Sequence, residues 1–146
     1  MNDVTTRLPS QAALGLGYLA VLPFVVCAGL VWVGGTESRA MASIALLAYA
    51  AVVVSFIGAI HWGIAFAQVA PATSLFVWGV APAIVAWLSM LMHPRVGLVT
   101  DAVLMVLCYL VDRSVYPRQG IAIWLPLRFR LTVLATLSCL AGAAAS

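Results

Sequence analysis

Residues 49–68 read YAAVVVSFIGAIHWGIAFAQ, a stretch without a formal charge. As a helix, about 20 residues at roughly 1.5 Å each reach roughly 30 Å, the thickness of a bilayer's hydrocarbon core. A single histidine, His61, lies inside it. Ala51, Ser55, Ala59, Gly63 and Ala67 recur every four residues. That spacing predicts a ridge of small side chains on which a neighbouring helix packs closely, because close packing replaces the hydrophobic drive in lipid.

The rest of the chain has the same character. Of 146 residues, 65% are apolar and 8% charged, far below the roughly 25% charged of soluble domains. Mean hydropathy is +1.15. The expected fold is all-α: a polytopic transmembrane helical bundle forming one membrane domain over residues 1–146. Five spans fit, at about 11–33, 41–68, 74–92, 97–115 and 126–145. Pro23 predicts a kink in the first and Pro82 one in the third. Thr36 to Arg39 read as the polar cap before the second span. Asp101 reads as a first-turn, interfacial carboxylate in the fourth. Pro126 opens the fifth, and residues 117–125 before it fit either an interfacial helix or coil. Arg7 precedes an apolar run from Ala12 to Val33 that exceeds the h-region of a signal peptide, so the run is expected to stay as the first span.

All seven basic residues are arginines. Arg7, Arg113, Arg118, Arg128 and Arg130 fall at one end of such a bundle, and Arg39 and Arg95 at the other. The positive-inside bias then gives N-inside and C-outside. Scattered in this way, the arginines suit lipid headgroups and form no basic stripe for nucleic acid. Cys27, Cys108 and Cys139 lie in separate apolar runs, as buried free thiols do. No metal-ligand spacing, glycine-rich phosphate loop or redox thiol pair is present, and no cofactor is predicted.

The chemistry-bearing residues converge by depth. His61 lies roughly 10 Å below the inner surface, and intramembrane ionisable groups at such depth face a bundle interior. Tyr109, Asp112 and Arg128 fall near the same level, and an arginine fork beside an aspartate can hold a carboxylate or phosphate at two points. His93 lies at the other end, about 20 Å away in depth, which disfavours a bis-histidine haem within one chain. A single-histidine haem or a bound quinone stays open. Ser55 and His61 are about 120° apart on a helix, so no nucleophile–base pair forms and no catalytic residue is expected.

The chain resembles the bacterial domain-of-unknown-function 3429 proteins, related to mitochondrial transmembrane protein 69. The resemblance rests on Gly17-Tyr18, Leu22-Pro23-Phe24, Ser55-Phe56-Ile57-Gly58-Ala59-Ile60-His61-Trp62-Gly63, Asp112, Trp124, Leu127-Arg128 and Leu131-Thr132. It implies a multi-pass protein of a bacterial inner membrane, or of the mitochondrial inner membrane in eukaryotic relatives, with no assigned catalytic residues. The expected role is a non-catalytic interaction, assembly or accessory subunit that meets a membrane-protein partner or a second copy of itself. The alternative is a small transporter or a lipid- or quinone-binding protein whose pocket is built from His61, Tyr109, Asp112 and Arg128.

Overall fold

The computed structural model describes residues 9–146, and Arg7, used above for orientation, lies outside them. Six α-helices follow in order: α1 (Gln11–Leu19), α2 (Leu22–Val33), α3 (Thr36–Phe66), α4 (Thr73–Ser89), α5 (Pro94–Arg118) and α6 (Leu125–Ala145). No strand occurs among the described residues.

The first span is α1 and α2 taken together, broken at Ala20–Val21. Pro23 sits in the first turn of α2 and has no N–H to continue the ladder from α1. The Tyr49 hydroxyl of α3 donates to the Ala20 carbonyl at 2.9 Å, filling an acceptor at the break. The Tyr49 ring meets Phe24 edge-on, centroids 5.0 Å apart.

Gln11–Val33, α3, α5 and Ala122–Ala145 are each long and apolar enough to cross a membrane, whereas α4 is shorter. The chain therefore has the make-up of a multi-pass membrane protein. α3 packs against α2, α4, α5 and α6, so it forms the centre of the bundle. A core of Phe24, Leu46, Val54, Leu98, Met105 and Cys139 fills the space around it.

Four details depart from the sequence reading. Thr36 to Arg39 do not precede the second helix; they form its first turn, where Glu37 suits the positive helix end. α4, the expected third span, ends at Ser89, short of residue 92, and a tight turn through Met92 leads to Pro94, the first residue of α5. α5 runs through Pro117 to Arg118. It closes with Ile121 N–H on the Tyr116 carbonyl and Gly120 N–H on that of Pro117, at 3.0 and 3.3 Å. That pattern requires a residue in the left-handed region, a place taken by Gly120 with its positive φ. A 3₁₀ turn over Ala122–Trp124 then leads into α6. Finally, Asp101 is neither in a first turn nor interfacial: it lies two turns into α5, fully buried, with its Oδ1 2.8 Å from Ser89 Oγ.

The small-residue ridge also sits elsewhere than expected. Ala51 is buried, Ser55 half-buried, and Ala59, Gly63 and Ala67 are exposed. A four-residue step overshoots a helical turn by about 40°, so the ridge winds off the buried face within three steps. Ala50, Val54, Ile57, Gly58, His61 and Ala65 take that face instead. The close approach lies at Gly58, where an added Cβ would stand 2.9 Å from the Gly79 carbonyl of α4. Gly79 in turn leaves room for the Trp62 indole, whose Nε1 donates to the Phe76 carbonyl at 2.9 Å.

Candidate functional site: a buried His–Asp–Arg cluster beside an apolar crevice

The ends of α3 and α5 and the start of α6 meet at one end of the bundle, and each brings a polar residue to the same place. Asp112 is fully buried and His61 likewise. Arg128, in the first turn of α6, reaches across with its Nε and Nη2 both on Asp112 Oδ2, at 3.0 and 2.6 Å. On the other side of the carboxylate, His61 Nε2 stands 3.6 Å from Oδ1. That is beyond hydrogen-bond length, and neither His61 nitrogen nor Asp112 Oδ1 has a partner among the described residues.

Asp112 and Arg128 together carry no net charge. Their attraction in a low-dielectric interior offsets the loss of water only when the geometry is good, and the two short contacts meet that condition. Asp112 uses two of the three guanidinium nitrogens, so Nη1 is left over from the pair.

Arg128 also lines a crevice of about 310 Å³ between α1, α2, α3 and α6, with Met105 of α5 also in its lining. Leu16, Phe24, Phe56, Ile60 and Met105 form its apolar walls. Thr132, one turn beyond Arg128, is its other polar side chain; Thr132 is 6% exposed and its hydroxyl has no partner. Cavities of about 300–1,000 Å³ with apolar walls and a few convergent polar groups are typical ligand sites. A smaller cavity is lined by Tyr116, Trp124, Leu127 and Arg128.

A family model described as protein of unknown function (DUF3429) matches residues 9–144. The chain belongs to the DUF3429 family. No curated protein and no solved structure matches it.

Of the four residues expected in the DUF3429 pocket, His61, Asp112 and Arg128 come together and Tyr109 does not. The Tyr109 ring lies against Phe129, centroids 5.6 Å apart, and its hydroxyl bonds to none of the three. The buried tyrosine at this end is Tyr116, one turn after Asp112 on the same face of α5. The sequence reading places neither Tyr116 nor Thr132 in the pocket, although each stands four residues after a residue that it does place there. That spacing brings side chains to one helix face.

Proposed function

We propose that this DUF3429 protein is an inner-membrane binding protein for an amphiphile. The apolar body would lie in the crevice between α1, α2, α3 and α6, with an oxygen-bearing head against Arg128 and Thr132. The observation that carries this reading is the crevice itself: an apolar space with two polar side chains in its lining, one of them a buried hydroxyl without a partner among the described residues. Arg128 Nη1 and the Thr132 hydroxyl both donate, so a head with acceptor oxygens fits. Asp112 already neutralises Arg128, so an uncharged carbonyl or ester head suits the site better than a phosphate. A quinone ring and a lipid ester share that chemistry. His61, behind Asp112, would steady the carboxylate as the head arrives.

Orientation supports the cytoplasmic half of a bacterial inner membrane for this site. Arg113, Arg118, Arg128 and Arg130 belong to the same end of the bundle, against Arg39 and Arg95 at the other, and the basic end is the one kept inside. The test is mass spectrometry of small molecules that co-purify with the full chain in mild detergent, compared with Gly17→Leu. Gly17 lines the crevice, and its added side chain would project towards Leu127 and Leu131. A stoichiometric amphiphile in the wild type, lost in a folded Gly17→Leu, is the expected result. Equal lipid content in the two proteins would reject the crevice as the site.

A second reading, a non-catalytic interaction or assembly subunit, is favoured by a different observation. Ala59 and Gly63 lie exposed on α3, and nothing among the described residues stands within 4 Å of a Cβ added at Gly63. On that reading the small residues receive a helix of a partner membrane protein or of a second copy. Disulfide cross-linking from Gly63→Cys in membranes checks it: a specific cross-linked band supports the reading, and only monomer counts against it.

A further inference from the structure

The buried face of α5 carries a second carboxylate, Asp101, eleven residues before Asp112. At the helical rise the two are about 16 Å apart along the axis. They differ in company. Both ion-pair contacts among the described residues belong to Asp112. Asp101 is fully buried, has no cationic partner among those residues, and its Oδ2 has no hydrogen bond. Its one bonded neighbour is Ser89 of α4, itself fully buried. The titratable group facing it from α6 is the buried thiol of Cys139. Leu98, Ala102 and Met105 surround it with apolar core.

A count of protons decides what such a site needs. Ser89 Oγ stands 2.8 Å from Asp101 Oδ1 and 2.7 Å from the Ala86 carbonyl. A peptide carbonyl only accepts, an ionised carboxylate only accepts, and a serine hydroxyl owns a single proton. One proton shared between two acceptors makes two weakened contacts, whereas two full hydrogen bonds at these short distances need one more proton. An isolated ionised carboxylate in an apolar interior is also among the costliest arrangements a protein can hold.

We propose that Asp101 is a membrane-embedded proton-binding site, with the neutral acid donating to Ser89 Oγ while the serine proton goes to the Ala86 carbonyl. A metal cation fits less well. Hard cations take about six or more oxygens, whereas this site offers only the two of Asp101, Ser89 Oγ and the Ala86 carbonyl. Loss of the proton would leave a bare charge between α4 and α5, so occupancy of Asp101 couples to the contact of those helices. Intramembrane ionisable groups of this kind commonly serve proton-linked function. The site is separate from the Asp112 cluster and does not depend on what the crevice binds.

The test is infrared absorption of the full chain in an ester-free detergent at neutral pH. With four acidic side chains in the sequence, the carbonyl stretch of a single protonated carboxyl is assignable. The expected result is a band worth one carboxyl in the wild type, told apart from the ester of any bound lipid by its shift in heavy water. Asp101→Asn abolishes it and Asp112→Asn leaves it in place. Ser89→Ala shifts its frequency, which keeps the test open should Asp101→Asn fail to fold. No band in the wild type, a band that survives Asp101→Asn, or one that does not move in Ser89→Ala would overturn the proposal. So would a wild-type band that disappears on adding sodium or lithium salt at constant pH, since a cation would then be the ligand.

Discussion

Asp112 and Arg128 satisfy each other's charge through two contacts on one carboxylate oxygen. Removing one partner leaves a buried charge, so Asp112→Asn or Arg128→Gln alone is expected to cost about 3–5 kcal/mol. The double variant removes both charges and is expected to recover most of that loss. Thermal unfolding of the four proteins in detergent measures the coupling, and two additive losses would contradict it. Arg128→Lys is a sharper probe, because lysine keeps the charge without the fork that puts two nitrogens on one carboxylate oxygen. His61, Asp112 and Arg128 are legible in the sequence because helical rise turns residue number into depth. Depth says nothing of azimuth, which is why Tyr109 reads as a pocket residue while Tyr116 and Thr132 are not placed there.

Among the helices, α3 teaches the same lesson about angle. Its length, lack of interior charge and central place follow from composition and periodicity. Its packing face does not, because a strict four-residue period cannot stay on one side of an α-helix. The glycines that matter are those with a neighbour in the way. Gly79→Leu would drive a side chain into the Trp62 indole, and Gly58→Leu would push against the Gly79 carbonyl. Overpacking of this kind typically costs about 1–3 kcal/mol, and more where backbone is the obstacle. Gly63 has open space around it, so Gly63→Leu is expected to leave the monomer's stability within about 0.5 kcal/mol of the wild type. Chemical unfolding in detergent separates the three, and a Gly63→Leu as damaging as Gly79→Leu would refute the assignment of the α3–α4 contact. The burial of Asp101 escapes the sequence for an element-scale reason as well. With Pro94 as its first residue, α5 starts earlier than the hydropathy suggests and carries the carboxylate inward by a turn.

For the molecule as a whole, the two ends differ in kind. One gathers most of the described arginines and the His61–Asp112–Arg128 cluster. The other brings together Ser43 and Ser146, whose hydroxyls meet at 2.8 Å, and Trp32, whose Nε1 donates to the Ala141 carbonyl at 2.9 Å. If the arginine-rich end is cytoplasmic, cysteines placed at Arg118 and at Arg39 will react oppositely with a membrane-impermeant maleimide on intact cells. The residue-39 site is labelled and the residue-118 site is spared until the cells are opened. The reverse pattern would invert the molecule. The lengths of the helices have a further consequence. α4 has 17 residues, and α3 beside it has 31. Upright, the shorter would span about 25 Å and the longer about 46 Å. Such a bundle has a low wall and a high one. Lipid in contact with α4 must thin to cover it, and α3 must lean to stay covered. If both helices cross the membrane, this asymmetric mismatch is expected to deform the bilayer around the protein, thinning it on the α4 side.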